Sequence, residues 1–175
     1  MSPVYGTDGR LLDPLVKKVY LTEDEKGFVS PGSVADLPVY QTPAGRLAVL
    51  ICADAWFPES YNVLRHKQAQ IVVVPSYILG ERSLRNTWAG YSGQPTPADV
   101  PQAVVGKISR HEAWRRYAFA GRFGASGARC GAMACLSGNL WDMGSDPLVV
   151  SARKSRSTIH HYVNCAVLAN TWIEP

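Results

Sequence analysis

A chain of 175 residues, 46% hydrophobic and 18% charged, is long enough for one cored domain over residues 1–175 and too apolar to stay disordered. Its 18 basic and 14 acidic side chains leave a formal charge of +4. The basic runs Arg110–Arg129 and Arg153–Arg156 lack the aromatic interleaving of a nucleic-acid reader and read as solvated surface, so no nucleic-acid partner is expected.

No apolar stretch approaches a bilayer span, so no membrane partner is expected, and Met1–Gly6 lack the charged and apolar regions of a secretory signal. Four cysteines at irregular spacing form no disulfide framework, and a reducing cytoplasm is the expected compartment. Cys130, Cys135, His160, His161 and Cys165 match no paired zinc-ligand spacing, so no metal and no cofactor is expected.

In chain order, Gly6-Thr7-Asp8-Gly9 predicts a turn, Leu11–Leu21 a strand and Thr22–Gly27 a polar loop. Leu37–Gln41 and Arg46–Ile51 predict a β-hairpin about the tight turn Thr42-Pro43-Ala44-Gly45. Phe57-Pro58-Glu59 starts a helix that runs to about Gln68, with proline in the first turn where its missing N–H costs little. The β-branched run Gln70–Pro75 predicts a strand buried on both faces, and strand, helix, strand with short links predicts an α/β unit.

Gly90–Val105 is rich in Pro, Gly and polar residues and reads as a long surface loop. Ser109-Arg110-His111-Glu112 fits a capping box, and Trp114, Tyr117, Ala118 and Gly121 follow at helical spacing. Strands are predicted near Arg129–Leu136, Leu148–Ser151 and His161–Asn170, with turns at Gly138-Asn139 and Gly144-Ser145-Asp146.

Cys52 stands where an apolar strand meets a helix start, and N–H groups there favour thiolate over thiol. A buried cysteine packing as a small hydrophobe is the alternative from position alone. Its surroundings decide between them. Leu50-Ile51-Cys52-Ala53-Asp54-Ala55-Trp56-Phe57-Pro58-Glu59 resembles the nucleophile motif of the nitrilase, or carbon–nitrogen hydrolase, superfamily. Lys18-Val19-Tyr20-Leu21 resembles its lysine motif, Ser30-Pro31-Gly32 the turn that follows, and Ile71–Ser76 the strand after the nucleophile helix. Four motifs in order across residues 18–76 are far more specific than any one alone. Weaker resemblance continues through Trp114-Arg115-Arg116 and Gly138–Asp142.

The resemblance implies an α/β (α+β) fold, a four-layer αββα sandwich, with a Glu-Lys-Cys site. It makes Cys52 the nucleophile, Lys18 the catalytic lysine and Glu25 the additional glutamate, with Lys17 and Glu23 as rivals. Strand alternation would point Lys17 and Lys18 to opposite faces. The Ala53 N–H is expected in the oxyanion site; Tyr77 and Trp88 are expected at the substrate pocket or in aromatic core; Asp54 and Glu59 are given structural roles. The implied reaction is hydrolysis of a small amide or nitrile through a thioester, with no metal, in a protein that self-associates as a homo-oligomer.

The superfamily's principal general base lies on an early strand before the lysine motif, and no glutamate precedes Lys18. About a hundred residues of the full sandwich are therefore expected to be missing from this chain, which reads as a partial domain. Two further readings stay open: an inactive association module, and an acyl transferase or glutamine-amide-hydrolysing unit using the same cysteine.

Overall fold

The computed structural model describes residues 1–138, 142–154 and 156–160. Its frame is one six-stranded mixed sheet whose spatial order follows the chain. The hairpin forms as expected: β1 (Val39–Thr42) pairs antiparallel with β2 (Gly45–Val49). α1 (Pro58–His66) carries the chain across to β3 (Ile71–Ser76), parallel to β2.

A second crossover, through α2 (Arg110–Tyr117) and the short α3 (Phe119–Arg122), returns to β4 (Cys130–Cys135), parallel to β3. β5 (Val149–Arg153) and β6 (Arg156–His160) then fold back antiparallel. β6 was not foreseen. It forms because Lys154 takes the left-handed conformation (φ 47°) that closes the β5–β6 hairpin within the basic run. The strand predicted over His161–Asn170 lies outside the described residues.

Alternation along the strands separates two faces. Ala48, Val72, Val74, Met133, Val150 and Ala152 face the helices, where Tyr61, Leu64, Trp114, Phe119 and Phe123 complete one core. Val49 and Val73 point the other way and meet Val16 and Leu12 of the N-terminal segment. Each fully buried Val, Leu or Met side chain among these contributes about 1.5–3 kcal/mol.

The expectation that β3 is buried on both faces is corrected here. Val73 is only half-buried and Pro75 is exposed, because the N-terminal segment covers the second face only locally. Beyond it, Ala132 and Ala134 of β4 are exposed on that face.

Residues 11–21 form no strand either. Only the bridges Ser2↔Val16 and Tyr5↔Leu11 are made. Pro14 has no N–H to give, and the Val19 and Tyr20 amides donate to the Asp54 side chain instead of a neighbouring strand.

The capping box before α2 is half made: Ser109 Oγ accepts from the Glu112 N–H at 3.1 Å, while the Glu112 carboxylate turns to Arg115 and Arg116. The predicted helix also breaks at Ala118, which is extended (φ −111°, ψ −156°). Gly121 packs so tightly under the end of α2 that a Cβ would overlap the Arg116 carbonyl oxygen. The Arg122 Nε–H then satisfies the Tyr117 carbonyl at 2.8 Å. Arg122 is thus 8% exposed and bonded to Asp99, contrary to the reading of its basic run as solvated surface.

Candidate active site

The site begins where β2 ends. Leu50 still pairs with β3 through the Val73 carbonyl, and Cys52 then turns the chain sharply with φ 48°. A non-glycine residue in this region costs about 1–3 kcal/mol and persists only where its surroundings hold it. Here they do. Cys52 opens a 3-10 turn, Cys52–Trp56, and Asp54 within it is 0% exposed.

Asp54 Oδ2 accepts the Ile51 N–H at 3.0 Å; Oδ1 accepts those of Val19 at 2.9 Å and Tyr20 at 2.8 Å. One carboxylate thus ties the Cys52 turn to the segment carrying Lys18. Burial pushes its pKa up to about 6, against the pull of those three N–H groups and Lys18. Tyr20 adds a stacked contact with Phe57, ring centroids 3.8 Å apart, and burial drives its hydroxyl up to about 12.

Lys17 is exposed and Lys18 is 8% exposed, so the two point opposite ways. The Lys18 ammonium meets both Glu25 oxygens at 2.5 Å. Glu25 also accepts from the Thr22 N–H at 2.9 Å and its hydroxyl at 3.1 Å. Burial raises its pKa, but these donors outweigh burial and the net shift is downward. Glu23 instead pairs with Lys26 at the surface.

The loop 90–105, expected merely to cover surface, grips this corner. Ser92 Oγ accepts the Glu23 N–H at 3.2 Å, and Gln94 Nε2 donates to the Leu21 carbonyl at 3.1 Å. Gly93 (φ +72°) sits between them, where a Cβ would lie 2.6 Å from the Glu23 nitrogen.

Cys52, Lys18, Glu25, Ala53, Tyr77 and Trp88 all line one cleft of about 900 Å³. Such a volume suits a small-molecule site. The Cys52 thiol is half-buried, 3.7 Å from the Tyr77 carbonyl. Cys130 and Cys135 are buried; burial raises both thiols, that of Cys135 to about 12. Among the described residues the Ala53 N–H has no acceptor, as befits the first turn of a helix.

Tyr77 is fixed by its hydroxyl, which donates to the Gly144 carbonyl at 3.0 Å. Trp88 is both wall and core: 5% exposed, it stacks on Trp56 with centroids 5.8 Å apart. The reach of Asp54 across to Val19 and Tyr20 was not foreseen, nor was Arg110 in the cleft wall. The signal for Asp54 was its place two residues after Cys52; for Arg110 there was none. Among the described residues no group of three or more His, Cys, Asp or Glu side chains is placed to hold a metal, and no helix is long and apolar enough to cross a membrane.

Comparison with known proteins supplies the class. The family model for carbon–nitrogen hydrolases matches residues 6–165, and the chain belongs to that family. It is 34% identical over 73 residues to a probable nitrilase of Schizosaccharomyces pombe, covering 42% of this chain and 26% of that protein. It is 42% identical over 60 residues to a citrullinase of Francisella tularensis, covering 34% of this chain and 21% of that protein.

Among solved structures, a carbon–nitrogen hydrolase from Helicobacter pylori superposes with a TM-score of 0.63 at 18% identity, covering 89% of this chain and 50% of that one. An amidase mutant from Nesterenkonia sp. AN1, carrying the acetamide moiety of fluoroacetamide on its active-site cysteine, gives 0.59 at 19% identity over 85% and 45%. The fold is the nitrilase-type α/β fold. The chain spans about a quarter or less of these curated relatives and about half of these structures.

Proposed function

We propose that this chain carries the nucleophile half of an amidase- or nitrilase-like hydrolase, with Cys52 attacking the carbon of a small amide or nitrile. The observation that carries the reading is the strained left-handed turn at Cys52, held by the buried Asp54 and opening the thiol into a cleft shared with Lys18. Strain of this kind clusters at active sites and persists only where the surrounding structure holds it.

An amide carbon is a poor electrophile, and a thiolate splits its hydrolysis into two easier steps. The sulfur adds to the carbonyl carbon, and negative charge gathers on the oxygen. The Ala53 N–H, without an acceptor among the described residues, and the Lys18 ammonium supply positive potential for it in a largely apolar cleft. Collapse breaks the C–N bond, the nitrogen leaves with a proton as ammonia or amine, and an acyl thioester remains on Cys52. Water then attacks the thioester, releasing the acid and restoring the thiol.

Glu25 has its carboxylate held by Lys18 and Thr22 and its pKa lowered, which makes it a poor proton donor. Its role is to hold the Lys18 ammonium in place. The proton that leaves the thiol and reaches the departing nitrogen passes through a general base, the role the family resemblance gives to a further glutamate.

The test is ammonia release from primary amides, with intact-mass detection of acylated protein. Cys52→Ala is expected to abolish both, and Cys130→Ala to retain both. Equal activity in the two variants would refute the reading.

A further inference from the structure

Three charged residues line the cleft among those described: Lys18, Glu25 and Arg110. The first two form an ion pair and add no net charge to the cleft. Arg110 is different. It is half-buried at the first position of α2, held by its N–H to the Asn86 carbonyl at 2.8 Å. The nearby carboxylate of Glu112 is already taken by Arg115 and Arg116. Among the described residues the Arg110 guanidinium has no hydrogen-bond or ion-pair partner. The cleft therefore carries one uncompensated positive charge.

The cleft that Arg110 and the thiol share has a mainly apolar lining that includes Trp56, Trp88, Trp114, Leu79 and Leu136. A guanidinium presents a planar fork of N–H donors that matches a carboxylate in two parallel bonds. Left unpaired in a partly desolvated wall, it favours a ligand that brings the anion.

We propose that Arg110 is a specificity residue, and that the substrate is an amide whose other end is a carboxylate, joined by a short aliphatic spacer. The spacer lies on the tryptophan wall and the carboxylate is clamped by Arg110, leaving the amide carbon at Cys52. This rests on the hydrolase reading above for the reaction but not for the binding of the anion.

The test compares glutaramate with valeramide, its neutral counterpart, in the wild-type protein and in Arg110→Gln and Arg110→Lys. The ratio of kcat/KM for glutaramate over valeramide is expected to fall about 10- to 100-fold in Arg110→Gln, the worth of a hydrogen-bonded charge pair. Arg110→Lys, which keeps the charge and loses the fork, should recover part of it. An unchanged ratio in Arg110→Gln overturns the proposal.

Binding separates this failure from failure of the hydrolase reading. Quenching of the cleft tryptophans by glutaramate is measured in Cys52→Ala with and without Arg110→Gln. Weakening by Arg110→Gln supports the clamp even if no ammonia is ever released. Equal affinity in both sinks it, whatever the catalytic result.

Discussion

Replacing Asp54 with asparagine sets two effects of the same burial against each other. Asparagine keeps the shape but has one acceptor oxygen. With that oxygen facing Val19 and Tyr20, the amide NH2 meets the Ile51 N–H and leaves a buried donor unpaired. That loss is worth about 1–3 kcal/mol. The gain is the removal of a buried charge. The Asp54 carboxyl stands at about 6 in the folded protein, against about 4 in an unfolded chain.

At about 1.4 kcal/mol per tenfold change, that gap is worth about 3 kcal/mol. Because the folded value is the higher one, the native state holds the proton more tightly than the unfolded state. This contribution is full below about pH 4 and is lost as pH rises through about 6. Asp54→Asn is therefore expected to be less stable than wild type by about 1–3 kcal/mol at pH 4. The gap should shrink by about 3 kcal/mol by pH 7, where the variant matches or exceeds wild type. Urea unfolding of both proteins at several values between pH 4 and 7 measures it. A constant gap, or one that widens with pH, would mean that the three N–H groups outweigh burial and that the reasoning fails.

Two other substitutions probe the same corner. Cys52→Gly should melt about 2–4 °C above Cys52→Ala, because glycine accepts φ 48° at no steric cost, a gain of about 1 kcal/mol; equal midpoints would show the turn to be unstrained. Gly93→Ala forces a methyl against the Thr22–Glu23 backbone from a left-handed conformation and should cost about 1–3 kcal/mol. It should also slow acylation of Cys52 by displacing Glu25 from Lys18; an unaltered melting curve and acylation rate would show that the loop does not constrain the lysine.

What could be read from the sequence was local or ordered along the chain. The β1–β2 hairpin announced itself by two apolar runs about a proline–glycine turn, and α1 by proline in its first turn. Cys52 and Lys18 were singled out by motifs whose order survives in the sequence, and the structure brings both to one cleft with Glu25. What could not be read depended on partners distant in the chain. Residues 11–21 have strand-like composition, yet the amides of Val19 and Tyr20 belong to a carboxylate 35 and 34 positions away. The end of α2 is set by the approach of Gly121 and the reach of Arg122, neither visible in helical spacing. Arg110 sat among other basic residues, and only the capture of Glu112 by its neighbours distinguishes it.

The grip of Ser92, Gly93 and Gln94 on the Leu21–Glu23 backbone bears on how this cleft can change over generations. The same stretch supplies cleft wall at Gly90, Tyr91 and Ser92. A loop exchanged to admit a different substrate would also shift the carboxylate that steadies the lysine. On the hydrolase reading proposed above, substrate range and catalytic competence are mechanically geared together, so a swap confined to residues 90–94 would need compensating changes at residues 21–25 to be inherited as a working enzyme.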